Sequence, residues 1–157
     1  NTLMIDVTLP VLAIIAGFAN LEEAKQTKCM AEAIYFEARS ESIMGQLAVG
    51  NVIINRVNSD RFPNTICKVV HQGPKYKSGH PVKHKCQFSY WCDGVKEKYT
   101  DRRAYADALN VAVMINKGIR IESLTNVLFY HATYSSPYWA AKKKLKSIIG
   151  SHVFYAD

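Results

Sequence analysis

The segment Met44 to Val57, MGQLAVGNVIINRV, constrains the fold more than any other part of the chain. Read at helical spacing it is apolar on most sides, and such a helix is stable only where the rest of a domain surrounds it. Gln46, Asn51, Asn55 and Arg56 are the polar exceptions. Buried polar groups need partners, so Asn55 and Arg56 are expected to hydrogen-bond within the core or along a cleft. The chain therefore reads as a mainly helical domain built around this segment.

Just upstream, Cys29 to Glu41, CMAEAIYFEARSE, predicts a second helix with Met30, Ala33 and Ile34 on one side. Met30, Ile34 and Glu37 fall at i, i+4 and i+7, so a carboxylate continues an apolar stripe. Arg39 and Glu32 fall elsewhere on the wheel. Ser40, Glu41 and Ser42 break the pattern and supply an N-cap for the next helix. Glu37 is thus expected near a helix end, in surroundings partly apolar and partly open. Burial raises a carboxyl pKa because desolvation penalises the charged form, and a carboxyl protonated at neutral pH is what a general acid requires. The alternative is a structural ion pair with Arg39, Arg56 or a lysine.

Arg61 to Gly94 is interrupted by Pro63, Gly73, Pro74, Gly79, Pro81 and Gly94, which predicts a loop-rich lobe with a small hairpin. Thr100 can cap a helix carrying Tyr105, Ala108, Leu109, Ala112 and Ile115, and Gly118 can end it. Beyond Thr125 come a short extended piece, an aromatic and polar cluster around Tyr130 and His131, a helix from Pro137 and a strand-like end. That helix would carry Lys142, Lys143, Lys144 and Lys146. No repeat or linker divides the 157 residues, so one core is expected. Leu9 to Ala19, LPVLAIIAGFA, is about half as long as a membrane-spanning helix requires, so no span is expected. Pro10 suits the first turn of a docking helix. The competing reading is a signal-like segment, although Asp6 rather than a basic residue precedes it. The organisation expected is an apolar segment over 1–27 and a single domain over 28–157.

Four cysteines, Cys29, Cys67, Cys86 and Cys92, allow three pairings into two disulfides. Cys86 and Cys92 flank QFSYW and could close a short loop, which would leave Cys29 with Cys67; that pattern favours an oxidising site of action. Zinc competes, because His80, His84, Cys86 and Cys92 lie in one basic segment, although their spacing matches no standard finger. The net charge of +7 calls for a polyanionic partner, whether nucleic acid, anionic lipid or bacterial envelope.

The chain has no GxSxG elbow, no HExxH helix and no phosphate-binding glycine loop. Carboxylate chemistry remains. A glutamate beside a groove lined by some of Tyr90, Trp91, Tyr130, Tyr134, Tyr138 and Trp139 suits a saccharide, whose apolar faces stack on aromatic rings.

The motifs AEAIYFEARSESIMGQLAVGNVIINRV, FPNTICKVVHQ, CQFSYWCDG and FYHATYSSPYWAAKKKLKSIIGSHVFY, in that order, resemble the SleB-type cell wall hydrolase family, the catalytic module of spore cortex-lytic enzymes. The likeness runs from about Cys29 to Tyr155 and is strongest to cysteine-containing members from proteobacteria and their phages. It implies a lysozyme-like fold, mainly α within the α+β class, with a small loop-rich or hairpin lobe. It also implies lytic transglycosylase cleavage of peptidoglycan between N-acetylmuramic acid and N-acetylglucosamine. Glu37 matches the family's catalytic glutamate. Gln87, Phe88 and Ser89 match its cleft motif, and Tyr130 and His131 its second aromatic and polar motif. Glu41 and Asp93 are the carboxylates available for a two-carboxylate hydrolase, the competing mechanism. No cofactor, metal or nucleic acid is called for. The partner is the glycan strand, met in the periplasm or cell envelope. Residues 1–27 could dock on a phage virion or an envelope protein. Ser40 stands where the family commonly has glycine, and Gly73 to Lys85 forms a longer, more basic loop than many relatives carry.

Overall fold

The computed structural model describes residues 17–157. Four helices come first: α1 (Leu21–Ala38), α2 (Ile43–Val57), the short α3 (Ile66–Val70) and α4 (Arg102–Asn116). Three strands follow, β1 (Phe129–Ala132), β2 (Lys144–Ile149) and β3 (His152–Ala156), with 3-10 turns at Ser89–Cys92, Glu122–Leu124 and Tyr138–Lys142. Most of the apolar segment 9–19, and with it the docking expectation for 1–27, lies outside the described residues. The expected boundary at residue 28 falls inside α1, where Ala24 and Thr27 are already buried.

α2 is the central element, as its composition demands. Ser42 caps it by accepting from Gly45 N, and every residue from Gly45 to Ile53 is buried. On one side Leu47, Val49 and Ile53 join a core with Met30, Ile34 and Tyr35 of α1 and Val111 and Ile115 of α4. On the other, Ala48 and Val52 pack with Leu124, Val127 and Phe154 beneath the sheet. Gly50 permits the close approach of α4: a Cβ there would lie 2.1 Å from Ile115 Cδ1. Three polar residues of α2 find backbone partners in the segment leading into β1, whereas Gln46 Nε2 donates to Glu41 O at 3.3 Å. Asn51 Oδ1 accepts from Ile121 N (2.7 Å), Asn55 Nδ2 donates to the carbonyls of Leu124 (2.9 Å) and Val127 (2.8 Å), and Arg56 Nε donates to that of Leu128 (2.8 Å). The central helix thereby fixes where β1 begins.

The antiparallel sheet has the order β1-β3-β2. Tyr130 pairs with Phe154 and His131 with Val153. Because successive strand residues face opposite ways, Tyr130 shares the core-facing side with Phe154, and His131 lies on the other. The helix expected from Pro137 is a correction. Only a 3-10 turn forms there, and Lys144–Ile149 pairs along β3 in a hairpin whose turn holds Gly150 at φ +58°. The four lysines therefore lie on a 3-10 turn (Lys142), at its junction with the edge strand (Lys143) and on that strand (Lys144 and Lys146), not on an α-helix. Asp101 rather than Thr100 caps α4, accepting from Ala104 N at 3.0 Å, and Gly118 follows that helix at φ +100°.

Cys29–Cys67 ties α1 to α3, and Cys86–Cys92 closes the loop around QFSY and Trp91. With these cysteines bonded to each other, the zinc set of His80, His84, Cys86 and Cys92 is not available. Among the described residues, no helix is long and apolar enough to cross a membrane.

Candidate active site

Glu37 lies in the last turn of α1, where the chain turns sharply: Glu41 N donates to Ala38 O at 2.9 Å, and α2 starts two residues later. Its side chain is partly open, and Tyr130 OH, arriving from β1, donates to Oε2 at 3.3 Å. Desolvation is the dominant influence and raises the Glu37 pKa; the Tyr130 hydrogen bond and the positive charge of Arg56 oppose it without cancelling it. Among the described residues no ion pair includes Glu37. Arg39 instead lies over the Tyr35 ring (4.9 Å), so the structural ion pair that competed with the acid reading is not formed.

Arg56 stands behind this pair. It is 7% exposed, bonded through Nε to Leu128 O, and its guanidinium lies over Phe62 (4.7 Å) and Phe88 (5.7 Å). Burial, then the charge of Glu37, push the Tyr130 hydroxyl well above the ordinary tyrosine range, so it is a permanent donor at neutral pH. The Tyr130 ring is held by His152, edge-on at 5.2 Å, and by Phe154 at 5.8 Å.

Other sequence-predicted residues take different places. Phe88 is core, 2% exposed, while Gln87 and Ser89 on either side of it are exposed. His131 is not brought to Glu37. Its Nδ1 lies 2.7 Å from Ala132 O, which can only accept, so Nδ1 donates there, and Nε2 lies 2.8 Å from Tyr155 OH. Trp139 packs against Phe129, His131 and Tyr155 on that same outer face, whereas Tyr134 and Tyr138 are almost fully exposed.

Both candidate second carboxylates are engaged locally. Glu41 Oε1 accepts from Ser151 Oγ (2.7 Å) and Ser151 N (2.8 Å) and lies 3.4 Å from His152 Nδ1, fastening the α1–α2 junction to the β2–β3 turn. The Ser151 hydroxyl is the main reason its pKa falls. Asp93 Oδ1 accepts from Val95 N at 2.8 Å in a turn.

The residue that the sequence did not mark is Glu32. Its Oε1 meets His71 Nε2 and Tyr90 OH, each at 2.8 Å, and its Oε2 accepts from Tyr99 OH at 3.3 Å. Desolvation again is the largest influence and pushes its pKa up, but hydrogen bonds from His71 and Tyr90, the charge of His71 and the Tyr99 hydroxyl together bring it down. Trp91 stacks on His71 at 3.6 Å and Phe36 on Tyr90 at 4.8 Å, so this network seats the 3-10 turn after Gln87 against α1. No local pattern could have found it, because its partners lie 39, 58 and 67 residues away. A cleft of about 530 Å³ lined by Asn51, Asn55, Asn58 and Arg120 does not include Glu37. Asn51 and Asn55 there already hold the segment that leads into β1, which makes this cleft a seam of the fold.

The chain belongs to the Cell Wall Hydrolase family, whose model matches residues 40–155. Glu37 stands just ahead of the matched span. Similar proteins include the spore cortex-lytic enzyme of Bacillus subtilis (strain 168), 30% identical over 141 residues that cover 88% of this chain and 38% of that protein. The spore cortex-lytic enzyme of Bacillus cereus (strain ATCC 14579) is 32% identical over 130 residues, covering 80% and 42%. The chain thus spans about two fifths of the length of these relatives. Among solved structures it is similar to the catalytic domain of the germination-specific lytic transglycosylase SleB from Bacillus anthracis, with TM-score 0.56 and 30% identity over 83% of this chain and 93% of that one. The mainly helical, lysozyme-like fold is shared with that domain.

Proposed function

We propose that this chain is a peptidoglycan-cleaving catalytic module that works as a lytic transglycosylase, with Glu37 as its single acid and base. The observation that carries this reading is the state of the carboxylates. Glu37 is desolvated, has its pKa raised and is free of ion pairs among the described residues, while Glu41 and Asp93 are engaged by Ser151 and Val95. Tyr130 donates to Oε2, which leaves Oε1 to carry the transferable proton.

In the first step Oε1–H gives its proton to the glycosidic oxygen as the bond from that oxygen to C1 of the muramoyl residue breaks. In the second step the Glu37 carboxylate takes the proton of the muramoyl C6 hydroxyl as O6 closes on C1. The product is a 1,6-anhydromuramoyl end, Glu37 is again protonated, and no water is consumed. The Tyr130 hydroxyl donates throughout and Arg56 favours the charged form, so both help the glutamate through its anionic stage. Gln87 and Ser89, exposed beside the buried Phe88, are suited to hold N-acetyl and hydroxyl groups of the strand. His131 acts at a distance, bracing β1 through Tyr155. Two disulfides suit action in an oxidising envelope compartment.

Mass spectrometry of products from digested sacculi tests the reading. Anhydro ends are lighter than reducing ends by one water. A digest containing reducing ends alone would replace the transglycosylase by a hydrolase, and no cleavage at all would leave a wall-binding module.

A further inference from the structure

We propose that the hairpin formed by residues 73–85 is a built-in polyanion clamp that grips the carboxylates of the glycan strand's stem peptides where the strand leaves the cleft. This deepens the function proposed above and rests on it. From Gly73 to Cys92 the chain carries Lys75, Lys77, Lys83 and Lys85 and not one Asp or Glu, so +4 of the net +7 lies in this short stretch. All four lysines are exposed, and none has a carboxylate partner among the described residues. Of the C-terminal lysines, Lys143 is paired with Asp157, which also holds Arg61, while Lys142, Lys144 and Lys146 are exposed but sit outside any such acid-free hairpin.

A charge run is ordinarily a solvated loop, but this one is a constructed element. Lys75 bridges Pro81, Tyr76 N donates to His80 O (2.9 Å), Gly79 N to Tyr76 O (2.9 Å) and Val82 N to Pro74 O (3.0 Å). Gly79 supplies the turn at φ +89°, and the tip presents Tyr76, 59% exposed. The base of the hairpin is fastened beside the cleft motif. His84 N donates to Cys92 O (2.8 Å), Gln87 N to Gln72 O (3.0 Å), and the Cys86–Cys92 disulfide closes the loop. Lys83 is laid along Gly94, where a Cβ would meet its Cε at 2.6 Å. His84 holds φ +63°, a conformation that non-glycine residues adopt uncommonly. A row of cations carried on a fastened backbone beside Gln87 and Ser89 meets a partner with little backbone ordering entropy to lose, and attracts a repeating anion more strongly than scattered surface charge does.

The test measures binding to purified sacculi across a salt series, in a Glu37→Gln background so that the ligand survives. One arm combines Lys75→Gln, Lys77→Gln, Lys83→Gln and Lys85→Gln. A second leaves the hairpin intact and caps the sacculus carboxylates by carbodiimide amidation, which removes the anion without any risk to folding. The clamp predicts about tenfold weaker binding at low salt in either arm, a flatter salt dependence, and no further loss when the arms are combined. With Glu37 restored, the lysine variant should turn over short soluble glycan fragments as the parent does. Unchanged affinity and salt slope for amidated sacculi would overturn the proposal. So would duplex DNA displacing sacculi from the parent hairpin more effectively than soluble stem-peptide polymer does, which would make it a nucleic-acid surface. If the parent chain binds sacculi through the hairpin yet cleaves no soluble fragment, the enzymatic reading fails while the clamp stands.

Discussion

Glu32 and Glu37 leave the same helix five residues apart, both lose much of their water, and burial is the largest influence on each, yet their proton affinities move in opposite directions. The difference lies in the donors. Glu32 is met by His71, Tyr90 and Tyr99, all making hydrogen bonds to it, whereas Glu37 is met, among the described residues, by Tyr130 alone at 3.3 Å. Several donors favour the charged form of a carboxyl, while a single long hydrogen bond in the same kind of surroundings leaves desolvation to raise its proton affinity. The chain thus places two glutamates of opposite proton affinity shift on one scaffold, and only the partners supplied by later segments decide which is which.

The strongest way to break this comparison is Glu37→Gln, which keeps the shape but cannot give and take a proton. Activity on sacculi should fall at least about a hundredfold while the fold is retained. The sign of the stability effect follows from the raised pKa. Ionising Glu37 in the folded state destabilises it once pH exceeds the unfolded value, so the variant should match the parent in acid and equal or exceed its Tm at neutral and alkaline pH. Activity within tenfold of the parent would remove Glu37 from its role.

Glu32→Gln should do the reverse. Its carboxylate makes charge-assisted hydrogen bonds at only 15% side-chain exposure, so the variant should lose about 2–3 kcal/mol, or roughly 5–10 °C in Tm, with turnover reduced less than about fivefold. A depressed folded pKa contributes stability above the unfolded value that disappears as pH falls through the folded one. The gap between parent and variant should therefore narrow in acid. Turnover abolished in folded Glu32→Gln would place Glu32 in the chemistry and end the contrast.

How much of this was legible in the sequence follows from range. The apolar stripe that carries Glu37 is a local period, and α2 announces its burial through its own composition. Glu32 has no local signature, because what defines it arrives with His71, Tyr90 and Tyr99. The turn after Pro137 looks helical from its alanines and lysines, but β3 captures Lys144–Ile149 as an edge strand, a tertiary decision that helix propensity does not carry. The opposite orientations of Tyr130 and His131 were available in principle. Once FYHA is a strand, adjacent residues cannot both face the cleft.

A smaller effect sharpens the Glu37 side of the comparison. Tyr130→Phe removes the one donor that Glu37 has among the described residues and one of the two influences that lower its pKa. Turnover should fall about tenfold. The alkaline limb of the pH–rate profile, which marks loss of the Glu37 proton, should move to higher pH. Mere loosening of β1 would lower the maximum without moving that limb upward, so an unshifted limb would deny Tyr130 its place on the glutamate.

The smallest effect is expected at Glu41, the third glutamate near the end of α1. Glu41 and Glu32 are both lowered by hydrogen bonding, but the donors at Glu41 are Ser151 N and Oγ in the tight β2–β3 turn, where a Cβ on Gly150 would come within 2.8 Å of Oε1. Gln at this position keeps an oxygen that can accept both hydrogen bonds and loses only the charge facing His152. Glu41→Gln should therefore cost about 1 kcal/mol or less and leave turnover within about threefold of the parent. A two-carboxylate hydrolase makes the opposite forecast, since the base or nucleophile opposite the acid is as necessary as the acid itself. Turnover in Glu41→Gln as low as in Glu37→Gln, with the fold intact, would transfer Glu41 from the anchoring class to the catalytic one and replace the single-glutamate mechanism.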